Sequence, residues 1–565
     1  MRKLINDPAD VVEDLISGLT ARNRELARVT GRPVVVRARR ADGKVALVSG
    51  GGSGHEPAHA GFVGRGMLDA AVCGPVFTSP SVDAVQAALQ AVGEDRDVLL
   101  VVKNYTGDRL NFGLAAETAQ AAGRTVATVV VADDVALGDT AGAGRRGIGG
   151  TVLVHKIAGA AAEAGRGVAE IQRLLEAFLP GMGTMGLALG PSLAPGAHAP
   201  NFDLGDDEVE WGLGIHGEPG RERGTAASAR HVASRLVDAV VTDRGLVEGD
   251  PVVVLVNGLG ATPPLELEIL AGEVLAAARG HGLDVRLCWA GTLLTSLDMP
   301  GASVTLARVD EELLDLLGAG TDAPGWVSPT VPAGSPQEIP VDLPDPLAEL
   351  TGPEPVDPAV LDALFRAVDA VGEAEPRLTE LDRKVGDGDL GTNLARGAQA
   401  LRAHREQLGS APDLHTWFRA VAQVLQHEVG GTSGPLYSLF VLALGEAFAP
   451  GERQARPKVL AAGFQDAVAR LQELGGARVG DSTMMDALVP AAEVLSGTAA
   501  GELDPHRLVP RLLARAAEGT EATTGVVAGL GRSSYVGKRA VGTPDPGAVA
   551  VTVWLEAVLR PWSGG

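Results

Sequence analysis

The sequence predicts an N-terminal α/β domain followed by an all-α domain, and three observations support this division. In the N-terminal half, short β-branched runs alternate with Ala- and Leu-rich segments, as in α/β folds with largely parallel strands. In the stretch that follows, prolines recur with little periodicity, as in a stiff linker. Beyond it, apolar residues recur at helical spacing. We therefore expect domains at residues 1–320 and 358–565, joined by a linker at residues 321–357.

The clearest secondary-structure signals are five β-branched runs in the first domain and five amphipathic segments in the second. Open α/β sheets bind ligands at the carboxyl ends of their strands, so the residues after each run are candidates for a site. Strands are expected at Val45 to Ser49, Val98 to Lys103, Val126 to Ala132, Val252 to Asn257 and Val285 to Trp289. Helices are expected at Ala359 to Val371, Leu414 to Val429, Leu436 to Phe448, Val459 to Leu474 and Met484 to Leu495.

The composition indicates an acidic protein with more than one domain. The chain has 565 residues, too many for one ordinary core, and a formal net charge of −23, which opposes binding to nucleic acid or to an anionic membrane surface. Cys73 and Cys288 are too few for a disulfide framework. The N-terminus lacks the apolar core of a signal peptide, and no apolar run is long enough to span a bilayer. We expect a cytoplasmic protein.

The first predicted strand runs into a glycine-rich loop, Gly50 to His59. It is not a P-loop, because no Gly-Lys-Ser/Thr follows, and Pro57 occupies the last glycine position of a dinucleotide-binding fingerprint. The string from His55 to His59 matches the zinc-protease motif, but Pro57 fits only the first turn of a helix, so the two histidines would not share a helical face. The loop instead lets a small ligand approach the backbone, with His55 as a candidate hydrogen-bonding or acid/base group.

Two charged residues follow the second predicted strand. Lys103 and Asp108 are expected at its carboxyl end, where a cation can orient a hydroxyl or carbonyl group and a carboxylate can accept a proton. The alternative is a surface salt bridge beside a turn.

A single imidazole, His216, stands between glycines in the stretch from Trp211 to Pro219. Most isolated histidines are structural. Here the flanking glycines would let the ring meet a ligand edge-on, and a neutral imidazole can add to an electrophilic carbonyl. Covalent capture of a carbonyl compound is therefore one of the functions open to His216.

The stretch from Leu381 to Asn393 places three carboxylates in eight residues where the chain must turn. Its glycines allow Asp387 and Asp389 to point to one centre, while Asp382 reaches that centre from the preceding helical turn. Three carboxylates with no Cys or His nearby suit Mg²⁺ and a nucleotide better than zinc, and the spacing lacks the oxygen ligands of an EF-hand loop. The alternative is a solvated acidic turn that caps the next helix.

Glycine-rich loops connect the predicted helices of the second domain, at residues 430–435, 475–483 and 545–548. Such loops, helped by helix N-termini, offer backbone N–H groups and hydroxyls to phosphates.

Together these stretches resemble the single-chain, ATP-dependent dihydroxyacetone kinases across nearly the whole chain and in that family's domain order. The resemblance implies a ketone-binding domain of two α/β subdomains and a Mg-ATP-binding domain that is an eight-helix barrel. The motifs that carry it are Gly50 to Pro57, Lys103 to Asp108, Gly212 to Pro219, Thr295 to Met299, the Asp382/Asp387/Asp389 set, Gly430 to Tyr437 and Asp545 to Ala548.

The resemblance also implies roles for the residues of the first domain. His216 would form a hemiaminal with the substrate carbonyl, and Asp108, assisted by His55, would activate the primary hydroxyl for in-line attack on the γ-phosphate. A covalent bond to the carbonyl carbon would select ketoses and aldoses over glycerol. The residues implied to surround the triose are Gly52, Ser53, Gly54, His55, Lys103 and Asp108.

In the second domain, the resemblance implies that Asp382, Asp387 and Asp389 hold two Mg²⁺ ions that bridge the phosphates of ATP. It further implies a homodimer in which the linker lets the helical domain of one subunit serve the ketone domain of another. The nucleotide contacts expected are Gly391, Thr392, Asn393, Thr432, Ser433, Gly476, Met485, Arg532, Asp545, Pro546 and Gly547.

Three departures from the family pattern bear on ATP binding or on the choice of ketose. Leu390 stands where relatives often carry a polar residue, and Ser482 replaces a common basic residue, so both bear on ATP binding. The loop from Asn257 to Pro264 differs from the usual Asn-Asn-Leu-Gly-Gly-Thr-Ser pattern. If that loop borders the sugar, a longer ketose could be the substrate.

The leading expectation is a kinase that converts dihydroxyacetone to dihydroxyacetone phosphate, with glyceraldehyde as a further substrate. One alternative is a kinase for a four-carbon ketose such as erythrulose. An alternative from another class is a non-catalytic ketone-binding module that regulates a partner. The aspartate set and the fused helical domain argue against the last.

Overall fold

The structure is a computed structural model in which the chain forms two compact units, Met1–Glu338 and Ile339–Gly565. It describes residues 3–563 except 41–42, 139–143, 219, 226–227, 343–346, 348–349, 351, 353–355, 497–503, 532–533 and 535–536. Among the described helices, none combines the length and apolar character needed to cross a membrane. The predicted succession of an α/β domain and an all-α domain is confirmed.

The first unit contains a six-stranded sheet in the order β1-β2-β4-β3-β5-β6. Strands β4, β3, β5 and β6 run parallel, whereas β1 and β2 add an antiparallel edge. The fully buried runs of β3 and β5 lie side by side at its centre, so the residues that follow them share one edge of the sheet. The strands are β1 (Leu26–Arg28), β2 (Val34–Arg37), β3 (Ala46–Ser53), β4 (Ala70–Val76), β5 (Val98–Lys103) and β6 (Val126–Val131).

A second six-stranded sheet has the order β11-β10-β12-β7-β8-β9. Only its β10–β11 pair is parallel, so the prediction of largely parallel strands is wrong for this sheet. No helix lies between β11 and β12, and without a helical crossover the chain returns in the opposite direction. The strands are β7 (Met182–Ala188), β8 (Val209–Trp211), β9 (Glu222–Gly224), β10 (Pro251–Gly258), β11 (Asp284–Gly291) and β12 (Gly301–Arg308).

Helices cover both sheets and bury their apolar faces against them. The core of the first unit is rich in Val, Leu, Ile and Ala from the strands and from α4, which is buried along almost its whole length. The helices of this unit are α1 (Val11–Ala21), α2 (Val82–Ala91), α3 (Thr106–Ala121), α4 (Thr151–Glu163), α5 (Val168–Phe178), α6 (Ala229–Arg244), α7 (Pro264–Gly280) and α8 (Glu311–Gly318).

The boundary between the two units, after Glu338, falls inside the predicted linker at residues 321–357. Ala323 is buried in the core of the α/β unit, and Thr330 exchanges backbone hydrogen bonds with Cys288 of β11. The first residues of the predicted linker are therefore part of the α/β unit.

The second unit is helical, as predicted, and its eight long helices form a closed ring within the described residues. Each long helix packs against the next one along the chain, and the last packs back against the first. This arrangement agrees with the eight-helix barrel implied by the resemblance. The helices are α9 (Pro358–Val385), α10 (Leu390–Ala403), the short α11 (Arg405–Gly409), α12 (Leu414–Glu428), α13 (Ser433–Glu446), α14 (Pro457–Gly475), α15 (Met485–Ser496), α16 (Pro505–Ala522) and α17 (Pro546–Ser563).

The helices of the ring line an apolar cavity of about 480 Å³ that is open on one side to solvent. Side chains from several helices line it, among them Val368, Trp417, Phe440 and Trp554. Inward-facing apolar residues at helical spacing thus account for the amphipathic pattern of these segments.

Candidate functional site

The carboxyl ends of β3 and β5 bring together the first group of predicted site residues. Lys103 ends β5, and Asp108 lies in the first turn of α3 with its Oδ2 atom 3.8 Å from Lys103 Nζ. Both side chains are buried, so the alternative of a surface salt bridge is wrong. A Cβ atom at Gly51 would lie 2.3 Å from Lys103 Nζ, so the loop needs glycine there.

His55 presents an unused hydrogen-bond acceptor to this site. Its Nδ1 atom lies 2.8 Å from the carbonyl oxygen of Thr295, so Nδ1 carries the proton and Nε2 holds a lone pair. Burial, together with the nearby His216 and Lys103, holds the pKa of His55 well below its ordinary value. Among the described residues, neither His55 Nε2 nor Asp108 Oδ1 has a hydrogen-bond partner, although both atoms are buried. Two buried acceptors are therefore available to a ligand hydroxyl.

The ring of His216 lies beside His55 and is held in one orientation. The two ring centroids are 4.8 Å apart, and 19% of the His216 side chain remains exposed. Glu218 contacts both the ring and the backbone of His216. His216 Nδ1 lies 3.0 Å from Glu218 Oε1, and the His216 backbone N–H donates to Glu218 Oε2 at 2.9 Å. Because the carboxylate accepts the Nδ1 proton, the lone pair of the neutral ring is on Nε2.

The ionisation of Glu218 suits this arrangement. Burial raises the pKa of this carboxyl group, but the hydrogen bonds and charge of His216 outweigh burial and bring the pKa down to about 2. Glu218 is therefore ionised at neutral pH and able to receive a proton from His216 Nδ1.

The second histidine of the zinc-like string takes part in a buried chain of side chains. His59 Nε2 lies 2.8 Å from Lys103 Nζ, and His59 Nδ1 lies 2.9 Å from His155 Nε2. Burial lowers the pKa of both imidazoles, and the charge of Lys103 lowers them further. The sequence places Pro57 in the first turn of a helix, and this prediction is wrong. No α-helix begins at Pro57, and a short 3-10 helix follows at Ala60–Phe62.

Contacts within the protein fix the positions of Gly52, Ser53 and Gly54, three of the residues implied to surround a triose. A Cβ atom at Gly52 would lie 2.6 Å from the backbone nitrogen of Thr78. The Ser53 hydroxyl donates to the carbonyl oxygen of Gly74 at 2.8 Å, and Gly54 has φ 101°. Glycine is therefore required by the close packing and backbone conformation of this loop.

In the second unit, Asp382, Asp387 and Asp389 form the one cluster among the described residues whose spacing could hold a metal ion. Each offers a carboxylate oxygen, and these atoms lie within 4.8 Å of one another. Asp382 is buried at the end of α9 and accepts a hydrogen bond from Leu390 N at 3.0 Å, whereas the other two are exposed. An all-carboxylate set fits Mg²⁺.

Other predicted nucleotide contacts lie near one another in this unit. Gly430 faces α10, since a Cβ atom there would lie 2.8 Å from Asn393 Oδ1. Thr392 is exposed on the first turn of α10, while Thr432 and Ser433 form the N-terminus of α13. Helix N-termini with exposed hydroxyls are suited to bind phosphate.

Asp545 lies at the start of α17 with Pro546 and Gly547, and its Oδ1 atom accepts a hydrogen bond from Ala548 N at 2.7 Å. The pKa of Asp545 is raised to about 7, chiefly by burial and in smaller part by the charges of Asp486 and Asp382. Its electrostatic interaction with Asp382 indicates that this loop is close to the aspartate cluster.

Three of the predicted nucleotide contacts also have structural roles. Gly391 is buried against α9, where a Cβ atom would lie 2.5 Å from the carbonyl oxygen of Glu375. Met485 is 3% exposed and packs in the helical core, so its side chain is not available to a ligand. Gly476 ends α14 with φ 70°, a conformation that glycine adopts readily. Arg532 lies outside the described residues.

The departures from the family pattern have local structural explanations. The Leu390 side chain packs against an apolar cluster that includes Leu378 and Val429. Ser482 is buried in the left-handed region at φ 59°. Asn257 Oδ1 accepts the backbone N–H groups of Leu293 and Leu294, so this loop supports the segment that leads to Leu297.

Sequence reasoning did not assign three residues that surround His216. Glu218 orients the ring, and the rings of Tyr105 and Phe77 meet it edge-on at centroid distances of 4.6 Å and 5.4 Å. Glu218 could have been found, because a carboxylate two residues after a histidine between glycines can reach its ring. Phe77 comes from a separate strand end and carries no motif.

Comparison with known proteins places both units in one family. A Dak1 domain matches residues 17–325, and a DAK2 domain matches residues 384–560. The chain is 41% identical to a putative 3,4-dihydroxy-2-butanone kinase from Solanum lycopersicum, over 98% of this chain and 97% of that one. It is 39% identical to the human triokinase/FMN cyclase, over 99% of each chain. It is 37% identical to a D-erythrulose kinase from Mycolicibacterium smegmatis, over 99% of this chain and 98% of that one.

The fold resembles a solved structure along the whole chain. The dihydroxyacetone kinase of C. freundii, in complex with AMP-PNP and Mg²⁺, matches with a TM-score of 0.67 and 34% identity over 99% of each chain. The two domain matches follow one another along the chain, and the alignment with a full-length relative spans both of them. The chain therefore belongs to the dihydroxyacetone kinase family.

Proposed function

We propose that this protein transfers the γ-phosphoryl group of ATP to a primary hydroxyl of dihydroxyacetone, and that it also accepts glyceraldehyde. The observation that carries the proposal is the grouping of His216, whose ring is partly exposed, with the buried acceptors His55 Nε2 and Asp108 Oδ1. Such a grouping can hold a small ketose by its carbonyl carbon and activate a neighbouring hydroxyl for phosphorylation.

His216 captures the carbonyl carbon as a hemiaminal in this proposal. Nε2 donates its lone pair to the carbonyl carbon, forming a C–N bond as the C=O π bond breaks. The Nδ1 proton passes to Glu218, 3.0 Å away, and is relayed from that carboxylate through solvent to the former carbonyl oxygen, which becomes a hydroxyl. A neutral imidazole and a ketone thus give a neutral hemiaminal, and glycerol, which has no carbonyl, is not captured.

Asp108 and His55 then act on the primary hydroxyl. Both present buried acceptor atoms without a partner among the described residues, so a substrate O–H group can donate to them. Asp108, assisted by His55 Nε2, accepts the proton as the hydroxyl oxygen forms its bond to the γ-phosphorus and the bond between that phosphorus and the leaving ADP oxygen breaks. The buried Lys103 Nζ atom lies 3.8 Å from Asp108 Oδ2, where it can orient the carboxylate.

The helical unit would hold the nucleotide. Asp382, Asp387 and Asp389 would hold two Mg²⁺ ions, which neutralise phosphate charge when bound. Exposed Thr392 and the N-terminus of α13 are positioned to contact phosphate oxygens. A relative in the same family was solved with AMP-PNP and Mg²⁺, which supports this choice of ligand.

A second candidate function is a kinase for a four-carbon ketose. Relatives similar over nearly the whole chain include a D-erythrulose kinase and a putative 3,4-dihydroxy-2-butanone kinase. Ala261, one of the altered residues of the loop from Asn257 to Pro264, donates its backbone N–H to the carbonyl oxygen of Met299 at 3.1 Å, so the altered loop contacts the segment that carries Leu297. A non-catalytic ketone-binding module is less well supported, because the aspartate cluster is intact.

The same proposal includes a cytoplasmic homodimer in which active sites form in trans. It rests on the family resemblance and on the division of the chain into two compact units. Mixing inactive His216→Ala and Asp387→Ala proteins tests it. After the subunits exchange, a mixed dimer has one active site without either substitution only if each site combines units from two different subunits, so recovered activity would support sites in trans.

The experiment that tests the function is a steady-state assay with Mg-ATP and a panel of dihydroxyacetone, glyceraldehyde, erythrulose and glycerol. We expect ADP release with dihydroxyacetone and glyceraldehyde and none above background with glycerol. A higher kcat/KM for erythrulose than for dihydroxyacetone would favour the four-carbon alternative. The absence of ADP release with every carbonyl substrate would contradict the kinase proposal.

A further inference from the structure

Two residues beside the glycine-rich loop have backbone conformations that side chains rarely adopt. Phe77 has φ 56° and Leu297 has φ 55°; among the described residues, Ser482 is the one other non-glycine residue with positive φ. The left-handed region places the Cβ atom of a bulky residue too close to the following carbonyl oxygen, so such residues adopt it at a cost. Strained backbone conformations of this kind cluster at functional sites. The positive φ angles of Phe77 and Leu297 therefore point to a functional role for the positions of their side chains.

The glycine-rich loop itself holds both residues. Phe77 N donates to the carbonyl oxygen of Ser53 at 2.9 Å, and Leu297 N donates to the carbonyl oxygen of Gly54 at 2.7 Å. The two residues come from segments more than two hundred positions apart, yet they bind successive carbonyl groups of the same loop. Their side chains are therefore positioned by the loop that borders the proposed ketose site.

The two side chains converge on Gly54. A Cβ atom there would lie 3.0 Å from Phe77 Cε1 and 3.1 Å from Leu297 Cδ2. The Phe77 ring also stacks on His55 at a centroid distance of 5.3 Å and meets His216 at 5.4 Å. Both side chains are partly exposed, as expected for residues that line a site and not the core.

We propose that Phe77 and Leu297 form an apolar wall that limits the length of the ketose, so that a triose is preferred to a tetrulose. This inference rests on the proposed function. His216 fixes the carbonyl carbon, and Asp108 with His55 fixes the reacting hydroxyl, so the rest of the substrate extends toward the wall. A further CHOH group would place its hydroxyl against a phenyl ring and a leucine, where it loses water and gains no partner.

The test compares kcat/KM for erythrulose and for dihydroxyacetone in the full-length protein. We expect the ratio of erythrulose to dihydroxyacetone to rise at least tenfold in Phe77→Ala, since a change of one carbon in a fitted pocket alters specificity by about 10- to 200-fold. Leu297→Ala should raise the same ratio by a smaller factor. The ratio does not depend on how much of a preparation is folded, so partial unfolding does not affect the result.

Two further variants distinguish a role in specificity from a role in folding. Phe77→Leu keeps an apolar side chain with less bulk and should raise the ratio by less than Phe77→Ala. Phe112→Leu alters a fully buried phenylalanine of α3 in the same unit and should leave the ratio unchanged, even if it lowers stability.

The possible results separate this inference from the function on which it rests. If the erythrulose-to-dihydroxyacetone ratio stayed within twofold of wild type in both Phe77→Ala and Leu297→Ala, the apolar wall would not limit ketose length, and the kinase proposal would be unaffected. A wild-type protein that already prefers erythrulose would also overturn the inference. A wild-type protein that phosphorylates neither ketose would contradict the proposed function, and this inference would fail with it.

Discussion

The imidazole rings of His55 and His216 meet edge to face, with their centroids 4.8 Å apart and their planes at 70°. His55 uses its Nδ1 proton to bind Thr295, and His216 uses its own to bind Glu218. Each ring therefore keeps a lone pair on Nε2, and the two lone pairs serve different atoms of one small substrate.

Replacing His55 by glutamine should reduce kcat with dihydroxyacetone by about 10²- to 10⁴-fold, the usual contribution of general acid–base catalysis. Glutamine keeps a polar group of similar reach but provides no imidazole nitrogen lone pair. Steady-state kinetics at saturating Mg-ATP measure the effect. His198→Gln, at an exposed position of the same unit, is the matched control and should have wild-type kcat. A His55→Gln enzyme with wild-type kcat would exclude His55 from the proton transfer.

Replacing Glu218 by glutamine should slow capture of the ketone and lower kcat/KM for dihydroxyacetone by about 10- to 100-fold. A hydrogen bond to a charged group contributes about 1.5–3 kcal/mol, and the variant can neither hold nor accept the Nδ1 proton as the carboxylate does. The KM for ATP should not change, because Glu218 belongs to the α/β unit. An equal loss in the KM for ATP would indicate a general defect of the protein and count against this role.

Replacing Asp382 by asparagine should increase the Mg²⁺ concentration needed for half-maximal activity by tenfold or more. The variant retains an oxygen that can accept the Leu390 N–H but removes a negative charge from the cluster. A magnesium titration at fixed ATP measures the shift. Asp362→Asn, an exposed aspartate on the same helix, should behave as wild type. Identical magnesium curves for Asp382→Asn and wild type would argue that the cluster holds no catalytic metal.

Acid should destabilise the α/β unit through its buried histidines. Burial lowers the pKa of His59 well below the ordinary 6.5 and that of His155 to about 3, so both stay neutral in the folded protein when the unfolded chain takes up protons. Below pH 6.5, each group should lower the free energy of unfolding by up to about 1.4 kcal/mol per pH unit, until the pH reaches the folded-state pKa.

Thermal melts of the full chain between pH 7 and pH 5 measure this effect. The double variant His59→Gln/His155→Gln should show a shallower fall in Tm of the first unit than wild type, whatever its stability at pH 7. The exposed His198→Gln variant should keep the wild-type slope. If all three proteins lost stability in parallel on acidification, the buried imidazoles would not be the cause.

The fold could be predicted from the sequence where burial is uniform. Strands β5 and β10 are runs of Val and Leu buried on both faces, and such runs give a clear signal, as does the short apolar run at residues 46–48 that begins β3. Strands β4, β7 and β12 were not predicted because glycine and alanine replace many β-branched residues in them. The antiparallel course of the second sheet depends on the connections between strands, which propensity does not reveal.

The candidate site was predicted in part for a similar reason. Residues held in a short motif, such as His55 or the aspartates of the cluster, could be assigned from local spacing. The neighbours of His216 could not, because Phe77 and Tyr105 reach it from different strand ends. A loop motif also does not show that Gly391 packs against α9 or that the Met485 side chain turns into the helical core.

The most direct test of the central claim is NMR of the full-length protein, labelled with ¹⁵N-histidine and mixed with [2-¹³C]dihydroxyacetone. We predict a protein-bound tetrahedral carbon signal with one-bond coupling to an imidazole nitrogen, lost in His216→Ala. Only the ketone and hydrate signals of free ligand, with no coupling to nitrogen in the wild-type protein, would contradict covalent capture by His216.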